Sequence, residues 1–536
     1  MNYALISRFL GSISYIIGLA MIASLPWALP LFGGDWELER RGFFGLIAAT
    51  LICFLVGYVL RRCGRNAQLV FLRKESLAIV GFAWLLAALL GTLPYLFSGT
   101  KVSEHQPMTF ADAIFESQSG FSTCGATVLT ELENPAVIPR SILFWRGTTH
   151  FLGGLGFMTL FVVFLTQGSG GKTMLRIEQT KLSSTTLQGK IRELAYIVFV
   201  LYLVLNVIAT IILRALGLSL YDALFHSFSA ISTGGFSTHN LSVGHFTATM
   251  AQGPAIEVVI MVFMILGGTN FALLYWLGRG RPSVMLRDRE WRAYIGILLA
   301  ATILIFVSGM IAKDFHPFAT PGAAPGAAAV ESMTQLSPLA ALRTVAFQVT
   351  SIMTTTGFAV GQYELWNPLA LLIFLMLMFA GGCAGSTAGG VKLVRLLLLG
   401  KAFRSELEHS FRPNVVRTID LGGEPVDRDV VSNVFAFLLM FCGSVVLLTM
   451  ILLIIEPNSM WMTESHDLGD KLLDLFSTSL ATLSNTGPGL GVIGAKETYS
   501  QFTDVSKVIL SFAMLLGRLE IMTLLVLFMP SFWRNR

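Results

Sequence analysis

Four short turns in this chain combine small hydroxyl side chains with a glycine, a pattern that suits the binding of a dehydrated cation. Glycine permits backbone angles that aim consecutive carbonyl oxygens at one axis, and small neighbours leave room for an ion. Because the turns contain no carboxylate, a monovalent cation fits them better than a divalent one. The predicted cation-binding residues are Thr123, Cys124, Gly125, Ser232, Thr233, Gly234, Thr355, Thr356, Gly357, Asn485, Thr486 and Gly487.

The predicted filter is short, because each turn contributes a single filter glycine. Potassium channels carry the longer Thr-Val-Gly-Tyr-Gly in every subunit, which stacks several layers of carbonyl oxygens. Fewer layers provide fewer ion sites. We therefore expect these turns to discriminate potassium from sodium less sharply than such channels do.

A short segment precedes each turn and is predicted to be a half-helix. Asp112, Asp222 and Asp474 lie near the start of three segments, and Arg343 takes this place in the third unit. About ten residues cannot cross a hydrocarbon core of ~30 Å. We expect the aspartates to act as N-caps and the negative C-terminal ends of the half-helices to face the cation. Four such copies in register indicate an internal repeat.

The composition places these turns in a membrane protein. Of 536 residues, 54% are hydrophobic and only 13% are charged, as is typical of a polytopic chain. Runs of ~20 apolar residues are long enough to span a bilayer. We predict ten spans, at about 5–32, 42–60, 76–98, 141–166, 193–216, 254–278, 291–312, 368–394, 430–455 and 507–530.

The spans and turns together predict an all-α fold with a pseudo-fourfold cation pore. Two extra transmembrane helices occupy residues 1–75, and four helix–pore loop–helix units follow. The predicted units comprise 76–192, 193–290, 291–428, which carries an intramembrane gating loop, and 429–536.

The distribution of basic residues predicts the orientation. Lysine and arginine concentrate in alternate loops, and cytoplasmic loops carry such an excess. We therefore expect both termini to be cytoplasmic and the four turns to open outward. Positive loops beside anionic lipid account for the net charge of +5, so no nucleic acid is needed to explain it. The five cysteines predict neither a disulfide framework nor a metal site. The basic loops are 61–75, 167–192, 279–292, 392–428 and the tail 531–536.

Two features of the last two units could obstruct the path. The glycine-rich stretch either allows close helix packing or breaks a helix so that a loop blocks the pore. Arg518 is a charge within an apolar span, which is costly unless it is paired or functional. It could form an ion pair with Glu257 or Asp474, or act as an electrostatic barrier. The candidate gate residues are Gly381, Gly382, Cys383, Ala384, Gly385, Ser386, Thr387, Ala388, Gly389, Gly390, Lys392 and Arg518.

Other polar residues are given ordinary roles at this point. Arg146 and His150 are expected to be capping or interfacial groups. The histidines His226, His239 and His245 lack metal-ligand spacing and are expected to be solvated loop residues. An Ala/Gly/Pro-rich segment at 319–330 is predicted to be an external insertion.

The motifs resemble the Trk/Ktr/HKT superfamily of potassium transporters, and most closely its bacterial Trk-type membrane subunits. The resemblance covers nearly the whole chain, and the two extra N-terminal spans are typical of the Trk type rather than the Ktr type. Cys124 stands where a hydroxyl residue is common in the family. Besides the four turns, the resemblance rests on the motifs at 150–156, 267–270, 381–392 and 516–520.

The resemblance implies potassium uptake across a bacterial inner membrane, with K⁺ at the filter and no cofactor bound by this chain. It implies that the 381–390 loop is an intramembrane gate and that Arg518 lies in the permeation path below the filter. It also implies a homodimer, controlled by a cytosolic nucleotide-binding, TrkA-like subunit.

Three alternatives stay open from the sequence. The first is a Na⁺- or H⁺-coupled symporter of the same fold, and the second is a less selective K⁺/Na⁺ channel. The third is a membrane enzyme, which would need clustered His, Asp and Glu or a Ser/His pair at membrane depth. No such cluster is visible in the sequence, so we predict that the chain is not an enzyme.

Overall fold

The computed structural model describes residues 1–67, 73–166, 187–312, 337–414, 419–421, 424–461 and 468–534. The predicted 319–330 insertion, and most of the basic 167–192 loop, lie outside these residues. The described chain is nearly all helical, which confirms the predicted all-α membrane fold. Its helices are α1 Tyr3–Ile22, α2 Trp36–Cys63, α3 Arg73–Phe97, α4 Phe110–Phe121, α5 Arg140–Thr166, α6 Leu187–Ala215, α7 Leu220–Ile231, α8 Gly244–Thr249, α9 Gly253–Gly267, α10 Phe271–Gly278, α11 Pro282–Arg287, α12 Arg289–Ala312, α13 Pro338–Met353, α14 Pro368–Phe379, α15 Leu393–Phe411, α16 Arg428–Ile455, α17 Leu468–Ser484, α18 Asp504–Arg518, α19 Ile521–Leu525 and α20 Pro530–Trp533.

The remaining regular structure is small. Antiparallel pairing joins Lys101 to Pro107 and Ser103 to Gln106 in one hairpin, and Asp420 to Pro425 in the other. Short 3-10 turns occur at Leu25–Ala28, Pro30–Phe32, Tyr363–Leu365, Asn458–Met460, Gly491–Ile493, Tyr499–Gln501 and Val526–Phe528. The strands are β1 Lys101–Ser103, β2 Gln106–Pro107, β3 Asp420–Leu421 and β4 Glu424–Pro425.

Long apolar helices give the molecule its membrane character. Within the described residues, six helices are long and apolar enough to cross a membrane, or up to eight if each bent helix pair counts as one span. An amphipathic soluble helix would have one polar face, whereas these helices are apolar around most of their circumference. Many of their large side chains are exposed, among them Leu19, Leu51, Ile211 and Leu439, as a lipid-facing surface requires.

The helices after α2 form four consecutive units, each with a first helix, a pore helix and a second helix. The pore helices are α4, α7, α13 and α17. Each packs against the first helix of its own unit (α3, α6, α12 and α16). Each also packs against the second helix of the preceding unit, and α4 closes the circle by packing on α18 of the fourth unit. The units therefore follow one another around a closed ring.

The loops that follow the four turns meet on one side of the ring, which we call the loop face (residues 126–139, 236–252, 358–367 and 488–503). Neighbouring units are joined there by hydrogen bonds. Leu132 N donates to Asn240 Oδ1 at 3.0 Å, and Gly244 N donates to the Ala359 carbonyl at 3.1 Å. Tyr499 N donates to the Thr127 carbonyl at 2.8 Å, which joins the fourth unit to the first.

The second helices differ from the predicted spans in three of the four units. The span predicted at 254–278 bends by 110° between α9 and α10, and the one at 507–530 bends by 113° after α18. The span predicted at 368–394 is wrong as a single helix, because α14 ends at Phe379 and α15 begins only at Leu393. We call the intervening residues 380–392 the glycine-rich loop. In the first unit, α5 runs from Arg140 to Thr166 without interruption.

Candidate cation pathway

The four turns have the same backbone, although their side chains differ. The turns begin at Ser122, Ser232, Thr354 and Ser484. The third residue of each turn donates its N–H to a carbonyl five residues earlier, as in Cys124 N to Ser119 O at 2.9 Å. The corresponding distance is 2.8 Å for Gly234, Thr356 and Thr486. This 6→1 bond is the hydrogen bond of a Schellman motif, which ends a helix by reversing the chain. Each pore helix therefore stops at the same point relative to its turn.

The second residue of every turn lies in the left-handed region, which is unusual for these residue types. Its φ is 52° at Thr123, 54° at Thr233, 55° at Thr355 and 57° at Asn485. Asparagine tolerates this region, but a β-branched threonine is strained there by about 1–3 kcal/mol. A strained residue repeated in three turns points to a functional constraint on the backbone.

The glycine of the second turn must be reassigned. Left-handed glycines follow at Gly125, Gly357 and Gly487, with φ from 81° to 89°, but in the second turn the equivalent residue is Gly235 at 80°. Gly234, which the sequence analysis took as the filter glycine, occupies the position of Cys124, Thr356 and Thr486. The backbone angles identify Gly235, and its spacing from Asp222, which equals that of Gly125 from Asp112, is the sequence signal that agrees with them.

The left-handed glycines also show how the turns meet. A Cβ atom on Gly125 would overlap the carbonyl oxygen of Gly234, and one on Gly235 would overlap that of Thr356. A Cβ on Gly357 would overlap the Thr486 oxygen, and one on Gly487 would overlap the Cys124 oxygen. Every turn thus places its glycine against a carbonyl of the next, and the fourth turn returns to the first. The predicted filter residues other than the glycines are all buried.

Side chains of the pore helices and of the loop face hold the backbone of the turns in place. The hydroxyl of Tyr499 donates to the Gly487 carbonyl at 2.7 Å, and Ser351 Oγ donates to the Phe358 carbonyl at 2.7 Å. In the first unit, Glu116 accepts from the Thr127 hydroxyl and from Val128 N, each at 3.0 Å. The turns are therefore fixed by partners from the pore helices and the loop face.

A buried cluster behind the first and second turns was missed by the sequence analysis. Arg146 and His150, expected to be capping or interfacial groups, are instead almost fully buried. Arg146 forms an ion pair with Glu116 and donates to the Ser237 carbonyl at 3.1 Å. Both side chains pack on the ring of Phe236, which His150 stacks at 4.0 Å. Arginine in an apolar span was the signal that could have revealed this cluster.

The predicted helix caps also need correction. Thr109 and Ser219 are the N-caps of α4 and α7, and Asp112 and Asp222 are the third helical residues, whose N–H groups the caps accept. Asp112 completes a capping box, because its carboxylate accepts from Thr109 N at 2.9 Å, and it also forms a buried ion pair with Lys507 of the fourth unit at 2.6 Å. Asp474 lies inside α17, where it accepts from Trp461 Nε1 at 3.0 Å. Asp112 therefore both caps its pore helix and anchors it to the fourth unit, whereas Asp474 anchors its helix without capping it.

The glycine-rich loop closes on itself before it reaches the turns. Ala380 and Val391 form a parallel bridge, and Gly381 N donates to the Val391 carbonyl at 3.0 Å. A Cβ on Gly381 would overlap the carbonyl oxygen of Gly389. The alternative reading, in which this stretch is only a close-packed helix, is wrong, because residues 380–392 are not helical.

The tip of this loop contacts the ends of three pore helices. Thr387 Oγ1 donates to the carbonyl of Ile231, the last residue of α7, at 2.8 Å. Gly389 N donates to Thr355 Oγ1 in the third turn at 2.6 Å. A Cβ on Gly389 would overlap the carbonyl oxygen of Ser484, at the end of α17. The loop therefore lies directly against the turns, on the side away from the loop face.

Arg518 of the fourth unit binds the glycine-rich loop. Its guanidinium donates to the Thr387 carbonyl at 2.9 Å and to the Gly153 carbonyl at 3.3 Å. The predicted alternative partners are bound elsewhere: Glu257 pairs with Arg343 at 2.6 Å, and Asp474 bonds to Trp461. Lys392, also buried, donates to the Ala388 carbonyl. Arg518 and Lys392 are thus two buried basic side chains that lie beside the glycine-rich loop, away from the loop face.

A further contact of the loop was absent from the sequence analysis. Glu290, in the first turn of α12, accepts from Ala384 N at 2.8 Å and from Val394 N at 3.0 Å. One carboxylate oxygen therefore joins α12 to the loop and to the start of α15. Its signal in the sequence was weak, because Glu290 lies among charged residues before an apolar span.

The three histidines near the second turn are not solvated loop residues as a group. His226 is fully buried and interacts with Ser237 Oγ through Nε2 at 3.1 Å. His239 and His245 are partly exposed, and their rings stack with centroids 3.6 Å apart. These two lie beside Glu133 of the first unit.

Four turns with matching backbone thus form a closed ring in this chain. The family model described as TrkH, cation transport protein, matches residues 46–535. The chain belongs to the TrkH family. This family comprises transport proteins rather than enzymes, and the chain is a multi-pass membrane protein.

Individual relatives match over the full length. The Trk system potassium uptake protein TrkH of Salmonella typhimurium is 33% identical, and that of Escherichia coli K12 is 32% identical, with 100% of each chain covered in both comparisons. The crystal structure of the potassium transporter TrkH from Vibrio parahaemolyticus matches with a TM-score of 0.81 and 29% identity, over 100% of both chains.

Proposed function

We propose that this chain carries K⁺ into the cell across the bacterial inner membrane, through the ring of four turns. The observation that carries the proposal is the closed circle in which each left-handed glycine lies against a carbonyl of the next turn. Non-helical backbone at membrane depth is tolerated where it lines an ion- or water-filled path. The full-length relatives that are named as potassium uptake proteins support K⁺ as the transported ion.

The predicted filter residues act in this proposal chiefly through their backbone. The carbonyl oxygens replace water around the ion, and the C-terminal ends of the pore helices add partial negative charge. With Gly235 added as the left-handed glycine of the second turn, all four turns offer equivalent carbonyls. The membrane potential drives inward movement with about 2.3 kcal/mol per charge per 100 mV.

We further propose that the glycine-rich loop and Arg518 form the gate. The loop contacts the turns through Thr387 and Gly389, and Arg518 binds the loop at Thr387. A cation leaving the filter would meet this peptide and two buried positive charges, which favours a closed path. Opening requires the loop to move away from the turns.

The orientation, units and partners of the chain complete the proposal. The basic loops support cytoplasmic termini and an external loop face. The division into 1–75, 76–192, 193–290, 291–428 and 429–536 stays a prediction. The superfamily resemblance supports a homodimer that a cytosolic nucleotide-binding, TrkA-like subunit controls.

Growth of a cell that lacks potassium uptake tests the function. The chain should restore growth at low K⁺, and more strongly when a TrkA-like subunit is co-expressed. Absence of rescue, with the protein present in the membrane, would contradict the proposal. The variant Gly400→Ala, in which the added Cβ would meet nothing within 4 Å, should restore growth as the wild type does.

The short filter favours a second candidate, a less selective K⁺/Na⁺ channel, and a Na⁺- or H⁺-coupled symporter has the same fold. Uptake into proteoliposomes separates these mechanisms. A channel conducts K⁺ down its own electrochemical gradient whether or not a gradient of another ion is present, whereas a symporter needs the gradient of its coupling ion.

A further inference from the structure

Three metal-ligating side chains from two different units meet on the loop face. Glu133 belongs to the loop after the first turn, and His239 and His245 belong to the loop after the second. One carboxylate oxygen, Glu133 Oε1, lies 3.1 Å from His239 Nδ1 and 3.8 Å from His245 Nδ1. One ligand atom from each residue falls within a group whose members are at most 4.8 Å apart.

The two imidazoles are held in fixed, parallel positions. Their planes differ by only 2°, and both rings meet the ring of Phe246 edge to face, at 5.3 and 5.7 Å. Their Nδ1 atoms both approach the same oxygen of Glu133. Two neutral imidazoles can each offer one nitrogen to a metal, and the rings must tilt from their parallel stack for both lone pairs to converge on one ion.

A second carboxylate supports the site from behind. Asp222 Oδ1 lies 4.0 Å from His239 Nε2, the ring nitrogen on the side away from Glu133. Metal-binding histidines commonly direct their second nitrogen to a carboxylate, which fixes the ring orientation. Asp222 is the third residue of pore helix α7 and also accepts from Thr238 Oγ1 at 2.8 Å. The cluster is therefore connected to a pore helix.

We propose that Glu133, His239 and His245 form a binding site for Zn²⁺ or a similar divalent transition metal on the loop face. Two imidazoles and one carboxylate suit zinc and leave a fourth position for water. Mg²⁺ and Ca²⁺ prefer sites in which all ligand atoms are oxygen, so these ions should bind weakly to two imidazoles and one carboxylate. The ion joins the first unit to the second.

Bound metal would restrain the loops that hold two of the four turns. His239 N donates to Ser237 Oγ at 3.1 Å, and the Ser237 carbonyl accepts from Arg146, which pairs with Glu116 behind the first turn. If the loop face is external, as the proposed function requires, external Zn²⁺ should slow K⁺ uptake by this restraint. The binding itself does not depend on that function.

Titration of ZnCl₂ into the purified full-length protein, followed by calorimetry, tests the site. We expect one tight site in the wild type and an affinity at least ~10-fold lower in His239→Gln and in His245→Gln, because even supporting residues of metal sites contribute 10–100-fold. His105→Gln is the matched control, since His105 is exposed in the loop between β1 and β2 of the first unit. It should bind as the wild type does, and MgCl₂ should give no comparable signal.

The melting temperature of each protein, measured with and without zinc, provides a second readout and also shows whether each variant is folded. Zinc should raise it in the wild type and in His105→Gln, but not in His245→Gln. Equal affinity for zinc in the wild type and both cluster variants would overturn the proposal, as would an equal rise in their melting temperatures. If zinc binds but K⁺ uptake is absent altogether, the metal site stands and the proposed transport function fails.

Discussion

The four turns and the four second helices belong to the same repeat, yet the repeat is kept strictly in the turns and loosely in the helices. The turns share one hydrogen-bond pattern and left-handed angles that agree within 10°. The second helices comprise one continuous helix, two sharp bends of 110° and 113°, and one glycine-rich loop. The comparison teaches where symmetry is required and where it is not.

Symmetry is required where all four units meet. Each turn supplies a carbonyl oxygen that lies against the left-handed glycine of the preceding turn. A change in one turn therefore disturbs its neighbour. The second helices meet only in part, and their breaks contact one another: Cys383 N donates to Gly268 O, Phe271 N donates to Gly385 O, and Arg518 binds Thr387. The second helices can therefore differ from one another while the four turns stay uniform.

The first prediction would break the uniformity of the turns and should have the largest effect. Alanine at Gly125, Gly235, Gly357 or Gly487 must adopt a left-handed φ and overlap a carbonyl oxygen of the next turn. Left-handed geometry alone costs roughly 1–2 kcal/mol, so we expect each variant to lose uptake by at least ~10-fold. Radioisotope uptake in cells is the measurement, and Gly443→Ala, which meets nothing within 4 Å, is the control. A loss at only one turn would contradict equivalence.

The second prediction removes the most divergent second-helix segment. Deleting residues 381–390 should raise K⁺ flux severalfold, because the loop no longer lies against Thr355 and Ile231. The deletion is feasible, since Ala380 and Val391 already form a bridge. Flux from proteoliposomes without a partner subunit measures it. Unchanged or abolished flux in a folded protein would refute the gate.

The third prediction addresses the charge at the break in the fourth unit. Arg518→Gln removes a buried positive charge and its bonds to Thr387 and Gly153. A charge a few ångströms from a cation costs up to ~4 kcal/mol at an effective dielectric of about 20. We expect conductance to rise about threefold to tenfold, and rectification to change. Arg518→Lys keeps the charge and should stay near the wild type; equal behaviour of both variants would argue against a barrier.

The fourth prediction concerns the contact between α12 and the loop, and its effect should be the smallest. Glu290→Ala leaves the buried N–H groups of Ala384 and Val394 without their acceptor, which costs about 1–3 kcal/mol. We expect about twofold higher basal flux and a lower melting temperature. Glu290→Gln keeps an oxygen acceptor and should show less of both. Identical basal flux in Glu290→Ala and the wild type would show that the contact does not hold the loop.

Several features followed from the sequence alone. Long apolar runs required membrane helices, and the recurring turns required a repeat, because both properties depend on residues close together in the chain. The positions of the pore segments and of the glycine-rich break were predicted for the same reason. Ten spans were expected, and their boundaries differ mainly where a helix bends or breaks.

The tertiary structure decided the features that depend on residues far apart in the chain. The register of the repeat favours Gly235 over Gly234, because Asp222 precedes Gly235 by the same interval as Asp112 precedes Gly125, but only the folded turn shows which glycine takes the left-handed angle. The ion-pair partners of Glu257 and Asp112 lie 86 and 395 residues away, and the N–H groups that Glu290 accepts lie 94 and 104 residues away. Hydrophobic periodicity reports burial along one helix, whereas charge pairing, the closed ring of turns and the Glu133, His239 and His245 cluster depend on how separate units pack.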